Sequence, residues 1–466
     1  MRLTRKQLIA GGAVAGLGAA GVYELVDRLG SSPERPAAQG LTPEQHLLQG
    51  VRIVEDNGVE VVVPPLHHQL VTARLRVAER KSDLVEAQKA LEDALAKLDR
   101  DYEQSPAGLG VTVAWGLPYF RRFVPKLADE HIPIDRRASK SRDEPVRVLL
   151  DSRRFPSDPA ETILEANDVA VLLRSDSLDH IAAGSKAILD PGLFEVTSIR
   201  KGFAGGGFDG GQGLPKKMAV AAQVRGSYLI PDGSELFLGF TSTQKAGLGP
   251  PKIANIEELG YAPGGYFTEG THLAVSHISE NLEAWYVNFP HQERVSTVFR
   301  PGLVVKENVQ TVPQGPHDVS DAARVQRDFE RTKQIGHSAS LQTVSRLAST
   351  AVGASGAIYG PGTAIPHRAD FNTLDNPFAW SVDPERDGMA DGAAAGVHFV
   401  VFNPSSDDFN RGRLAMDGVL PDGTKLPFAP RDRGQGFNSI LRTTHRQNFL
   451  VPPRRHRSFP LVELLA

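Results

Sequence analysis

The chemistry open to this chain depends on histidine, arginine and carboxylate side chains, because its 466 residues include 14 histidines and no cysteine. Without cysteine the chain has no disulfide framework, no thiolate metal site and no cysteine nucleophile. It also has no His-Glu-x-x-His metal motif and no Gly-x-Ser-x-Gly nucleophile elbow. His67 and His68 are adjacent in a predicted strand, so they point to opposite faces and are poorly placed to share one metal ion.

Other segments combine residues that could do chemistry together. Residues 366–372 (PHRADFN) place His367 beside Arg368, and residues 383–389 (DPERDGM) contain Arg386. A buried cation such as arginine can stabilise negative charge that develops on an oxygen atom. The glycine-rich stretch contains a Gly-x-x-Asp-Gly motif with Asp209. An aspartate of this kind can move a proton, since its pKa can be tuned toward neutrality.

Composition limits the class of protein before any site is considered. Hydrophobic residues make up 40% and charged residues 23% of the chain, which is ordinary for a globular protein. The formal net charge of −3 argues against a nucleic-acid partner, because phosphate binding usually requires a strongly basic domain. At this length we expect two domains plus a leader.

The elements that must position these residues alternate between strands and helices. Residues 81–100 predict an amphipathic helix, because leucine and alanine recur at helical spacing opposite a charged face. Strands are predicted at 59–63, 69–75, 110–115, 146–150 and 168–174, with a helix at 178–190. This order is typical of a ferredoxin-like unit. A second round of elements is predicted at 271–278, 282–299, 397–403, 448–451 and 461–465.

Residues 1–40 are predicted to be a targeting segment and linker. A basic start with Arg5 and Lys6 precedes a small-residue run at 8–22, which is the pattern of a secretory signal. The run resembles a twin-arginine signal in which lysine replaces the second arginine, so we expect an exported protein. No clean Ala-x-Ala cleavage site follows, which leaves a retained membrane anchor as the alternative to a cleaved signal.

The order and local pattern of these segments resemble the DyP-type (dye-decolourising) haem peroxidase family over about residues 48–466. The segments that carry the likeness are Gln49–Val51, Gln69–Thr72, Leu109–Val113, Asp168–Leu173, Lys201–Phe203 and His272–Ile278. The resemblance implies an α+β fold of two ferredoxin-like halves, antiparallel sheets with helices packed outside, in a dimeric α/β-barrel-like arrangement. The N-terminal half would span residues 41–200, and the C-terminal half, with the haem site, residues 201–466.

The same resemblance implies roles for particular residues. His367 is expected to bind the iron of a non-covalent haem b, and Arg368 to contribute to cofactor binding. His337, the closest rival histidine, is interpreted as structural. Arg386 is expected to face bound peroxide. By position, Ser242 replaces the usual distal aspartate, although Asp209 in the glycine-rich stretch remains the alternative.

The activity that the resemblance implies is oxidation of phenolic or dye-like substrates by hydrogen peroxide. A serine hydroxyl cannot act as a general base near neutral pH, so Ser242 motivates a second hypothesis. In that hypothesis the chain is an exported haem-binding or haem-handling protein with little peroxidase activity. A third hypothesis is a cofactor-free interaction protein on the same scaffold. Self-association into a homo-oligomer is left open.

Overall fold

The architecture was obtained from a computed structural model of the whole chain. It describes residues 19–30, 34–38, 40–207, 213–241, 265–309, 320–347, 349–352, 358–375 and 393–465. The helices in these residues are α1 (Ala19–Leu29), α2 (Lys81–Asp101), α3 (Leu117–Phe123), α4 (Pro125–His131), α5 (Arg136–Arg142), α6 (Leu178–Leu189), α7 (Leu214–Ala221), α8 (Leu282–Asn288), α9 (His291–Val298), α10 (Ala322–Thr332), α11 (His337–Ser345) and α12 (Ser406–Met416).

The strands form one large sheet and two small ribbons. They are β1 (Arg52–Asp56), β2 (Val59–Val63), β3 (His67–Leu75), β4 (Gly110–Gly116), β5 (Ile163–Leu164), β6 (Val169–Ser175), β7 (Phe194–Phe203), β8 (Thr271–Glu280), β9 (Ala351–Val352), β10 (Ile358–Tyr359), β11 (His367–Arg368), β12 (Phe371–Thr373), β13 (Gly396–Asn403) and β14 (Leu441–Val451). Most of the predicted elements are confirmed. Residues 146–150 are an exception, because only Arg147 forms an isolated bridge, with Ile134.

Two halves of the large sheet repeat the same strand order. In the N-terminal half, the order of neighbouring strands across the sheet is β7-β3-β6-β4. In the C-terminal half, it is β12-β13-β8-β14. With β11 and β12 together counted as one strand, both halves have the antiparallel ferredoxin-like order of fourth, first, third and second strands. The predicted α+β fold with two ferredoxin-like halves is therefore confirmed.

The two halves close into a barrel at their edges. β4 pairs with β14 at one seam, and Asn372 of β12 pairs with Phe203 of β7 at the other. The predicted division at residue 200 falls inside β7, whose last residues help to form this second seam. Every strand of the ring therefore has one face toward the barrel interior and one toward the helices outside.

The hydrophobic pattern of each half explains this arrangement. Alternate residues of β3, β6, β8 and β13 form one apolar cluster inside the barrel, including Leu70, Leu172, Val275, Val400 and Phe402. Helix α2 turns its leucines toward the outer face of the N-terminal half, where they join a second cluster. Buried apolar area on both faces of the strands is what keeps the two layers together.

Helix α1 belongs to the folded body, which the prediction of a leader and linker over residues 1–40 did not include. Tyr23, Leu25 and Val26 are buried in the core of the C-terminal half. The Tyr23 hydroxyl donates a hydrogen bond of 2.6 Å to Asp375. Among the residues described, no helix is both long enough and apolar enough to cross a membrane.

Candidate active site

A cavity of about 240 Å³ lies between the outer face of the C-terminal half-sheet and the helices α11 and α12. One wall consists of alternate residues of β8, β11, β13 and β14, and the other of one face of each helix. Much of the lining is apolar and comes from Leu236, Leu238, Phe240, Ile278, Val298, Leu341, Val397, Phe399, Val401, Phe409, Phe437 and Leu441. An apolar cleft with a few polar groups is the usual form of a small-molecule site.

The short strand β11 separates two residues that the sequence places side by side. Arg368 lines the cavity, as do Pro366 and Asp370 on either side of it. The His367 ring instead packs inside the barrel, 6.0 Å from the His46 ring and 5.7 Å from the Phe402 ring by ring centroids. Successive residues of a strand point to opposite faces, so β11 cannot present both to one cavity.

His337 is the histidine that lines this cavity. It is the first residue of α11, and its ring lies 4.6 Å from the ring of Phe437. Its Nδ1 atom is buried and has no hydrogen-bond partner among the residues described. Burial, followed by the positive charges of Arg368 and Arg413, lowers the pKa of His337 to about 3. The imidazole is therefore neutral at pH 7, which is the form that binds a metal.

One group of charges in the cavity wall is held together by ion pairs. Arg446 and Asp158 form a two-contact ion pair in which both side chains are 1% exposed. Arg413 also contacts Asp158, at 3.4 Å, and donates to the Ser157 hydroxyl at 3.1 Å. Because Asp158 neutralises Arg446 and contacts Arg413, this group is a structural support for the wall.

Two other cations face the cavity with weaker partners. The contact between Arg368 Nε and Asp370 Oδ1 is long, at 3.7 Å, and Nε has no hydrogen-bond partner in the described part of the chain. Arg346 donates to the carbonyl oxygen of Gly362 at 3.3 Å. Burial and the charge of Arg368 lower the pKa of Arg346 to about 10, so the Arg346 guanidinium remains charged at neutral pH. These two groups can interact with an anion in the cavity.

Glu280 contributes a carboxyl group at the end of β8. Its Oε2 atom is buried without a hydrogen-bond partner among the residues described. Burial raises the pKa of Glu280 to about 8, so at pH 7 the group is mostly protonated and can donate a proton to a bound molecule. Sequence inspection did not identify this residue, because it follows an apolar strand without any motif.

The other predicted site residues lie outside the described part of the chain. This applies to Arg386, Asp209 and Ser242. Thr241, which immediately precedes Ser242, does line the cavity. Among the residues described, no group of three or more histidine, aspartate or glutamate side chains could hold a metal ion.

A family model matches residues 65–453 of the chain, and its description is a family of unknown function, DUF7405. The chain belongs to this family. A search of the curated proteins finds no match. The identification therefore groups the chain with its relatives without assigning an activity to it.

Solved structures resemble this member of the family over most of its length. A DyP-type peroxidase from Cellulomonas bogoriensis has 16% sequence identity and a TM-score of 0.50, covering 89% of this chain and 96% of that one. A dye-decolorizing protein from V. cholerae has 15% identity and a TM-score of 0.47, covering 85% and 96%. A variant of DypB from Rhodococcus jostii RHA1 in complex with heme has 11% identity and a TM-score of 0.48, again covering 85% and 96%. At the level of the fold, the first of these likenesses confirms the predicted DyP-type architecture.

Proposed function

We propose that the chain is a haem-dependent peroxidase that uses hydrogen peroxide to oxidise small phenolic or dye-like compounds. The observation that carries the proposal is the cavity between the sheet and α11, into which a neutral, unpartnered histidine and two weakly paired arginines face. The DyP-type fold supports the proposal, because structural neighbours with this fold are named as peroxidases and one is described in complex with heme.

The residues present are chemically suited to haem b. The porphyrin face is apolar and matches the leucine, valine and phenylalanine lining. Its iron needs one protein ligand, and His337 offers a neutral imidazole at the cavity wall. Its propionates are anions, for which Arg346 is a suitable partner. We therefore propose His337 as the iron ligand, while the assignment of His367 from the sequence stays a prediction.

When bound, haem would supply the redox chemistry of peroxide reduction. The chain's own residues would hold and surround the reactants. Arg368 would stabilise negative charge on a peroxide oxygen, an effect that is strong in a cavity with little water. The apolar side chains of α11 and α12 would exclude bulk water from the site.

Reconstitution of the purified chain with haem tests this proposal. The wild type should develop a Soret absorbance band that changes on addition of peroxide. His337→Ala should lose or strongly shift the band, because the iron loses its protein ligand. His367→Ala is the matched control and should keep it. Absence of a Soret band in the wild type would refute haem binding altogether. Loss of the band in His367→Ala alone would identify His367 as the iron ligand.

A second candidate function is haem binding or handling with little peroxidase activity. The predicted position of Ser242 favours it, because by sequence order this serine stands where the DyP-type family has the aspartate that moves the peroxide proton, with Asp209 as the alternative. The measurement that separates the two is peroxide-dependent dye oxidation by the haem-loaded protein. If the chain is a peroxidase, the Arg368→Leu variant should have a kcat/KM about 100-fold or more below that of the wild type, because it lacks one charge-stabilising group. Slow turnover that Arg368→Leu leaves unchanged would favour haem handling.

Export by the twin-arginine route is part of the same proposal. The basic start and the small-residue run support it. Mass spectrometry of the N-terminus after expression in the native host tests it. Because Tyr23 contributes to the core, we expect any cleavage to fall before α1.

A further inference from the structure

The barrel interior contains a second group of polar side chains, at the end where β3 begins. His68 of β3 and Arg174 of β6 are direct cross-strand partners. Both share the alternation of Leu70 and Leu172, which belong to the apolar cluster inside the barrel. His367 lies at the same end, beside His46, which comes from the segment before β1. We call His46, His68, Arg174 and His367 the inner cluster.

Arg174 is a buried cation without a counter-charge. The residue is only 3% exposed to solvent. Nη2 donates a hydrogen bond of 2.6 Å to the carbonyl oxygen of His46, whereas Nε has no partner in the described part of the chain. No described carboxylate forms an ion pair with it. Burial alone lowers its pKa, to about 10, so the guanidinium remains charged at pH 7. A buried charge of this kind is costly unless an anion compensates it.

Two of the histidines around Arg174, His46 and His68, have unused hydrogen-bonding capacity. Both ring nitrogens of His46 and both of His68 are buried without a hydrogen-bond partner among the residues described. Burial, followed by the charge of Arg174, holds the pKa of His68 well below the ordinary value. A neutral imidazole always carries one N–H donor. The inner cluster therefore combines one fixed positive charge with several donors.

Aromatic rings limit the size of anything held there. The ring of Phe371 stacks on His68 at 4.9 Å, and the ring of Phe402 lies 4.9 Å from His46. Both phenylalanines belong to the packed barrel core. Such walls provide no further charge, and their close approach to the histidine rings favours a compact ligand over a large one.

We propose that the inner cluster binds a small monovalent anion of halide size, through the Arg174 guanidinium and the imidazole N–H groups. One negative charge balances the one fixed positive charge, and a compact ion matches the aromatic walls. The site lies on the face of the sheet opposite the outer cavity. It therefore does not depend on haem binding, and the two proposals can fail separately.

Thermal unfolding of the purified full-length chain tests the proposal with sodium bromide as the probe. Sodium gluconate at equal ionic strength is the reference, because its anion is too large for the site. For the wild type, bromide should raise Tm by about 2 °C or more in a saturable manner, since a ligand of the folded state stabilises it by mass action. In Arg174→Met this rise should disappear. Arg80→Met removes an arginine whose side chain is 79% exposed, and should leave the rise unchanged.

Crystals of the wild type soaked in sodium bromide provide a second test, which does not require any variant to fold. An anomalous difference peak beside Arg174 inside the barrel is the expected result. Absence of that peak, or a bromide effect on Tm that Arg174→Met retains in full, would overturn the proposal.

Discussion

The two faces of the barrel sheet use the same residue types for different purposes. The outer face carries histidine and arginine together with carboxylates, and Arg446 is paired with Asp158 there. The inner face carries Arg174, on β6 of the N-terminal half, among histidines, and Arg174 itself forms no ion pair with a described residue. Sharing a strand does not give two side chains a common environment, since β11 sends His367 inward and Arg368 outward. The presence or absence of carboxylates decides which cations are already compensated and which need a ligand.

The largest expected effect comes from breaking the compensated group. Asp158→Asn should destabilise the protein by about 3–5 kcal/mol, because it leaves Arg446 and Arg413 buried without their carboxylate. Arg174→Met in gluconate buffer should be nearly neutral, within about 1 kcal/mol, since it removes a buried charge that has no counter-charge. Urea unfolding of both variants measures the difference. Equal losses would mean that the two faces do not differ in charge compensation.

The next effect concerns the buried carboxyl group of the outer face. The pKa of Glu280 in the folded state, about 8, lies above its ordinary value of 4.5. Between these values the unfolded state ionises first, so folding stability falls as pH rises from about 4.5 to 8. Glu280→Gln should remove that loss and stabilise the protein at pH 8 by a few kcal/mol at most, at about 1.4 kcal/mol per pH unit. Unfolding curves at pH 5 and pH 8 measure it, and parallel behaviour of wild type and variant would contradict it.

The inner face should respond to pH in the opposite direction. The folded-state pKa of His367, about 4, lies below the ordinary value of 6.5. The unfolded state therefore takes up a proton first, and stability falls as pH drops from 6.5 toward 4. His367→Asn should reduce the loss of stability between pH 7 and pH 5 by about 2 kcal/mol. If wild type and variant lose the same stability over this interval, His367 does not titrate as its burial requires.

Much of the fold could be predicted from local patterns. The 3.6-residue spacing of leucine and alanine predicted α2 almost to the residue, and apolar runs predicted β6 and β13. These patterns are local, since each reports which face of one element is buried. Residues 146–150 (VRVLL) show the limit, because a segment with a strand-like pattern forms a strand only when a neighbour offers a pairing edge.

The candidate site was harder to predict, for a reason visible at His367 and His337. Sequence likeness favoured His367, but its pairing with Phe402 turns it toward the barrel interior. His337 lacked a motif, and only the position of α11 against the sheet brings it to the cavity wall. A histidine directly after glycine at a helix start, as in Gly336-His337, was the available signal, and it is weak.

The sequence by itself determined the alternation of strands and helices, the two-half organisation and the supply of histidine and arginine without cysteine. These properties follow from side-chain spacing and composition. The tertiary structure decided which histidine meets the cavity, which arginine lacks a carboxylate, and that α1 joins the core. Those outcomes depend on strand register and on contacts between residues far apart in the chain, such as Tyr23 with Asp375. No local pattern encodes such contacts, because each is the result of packing two distant surfaces together.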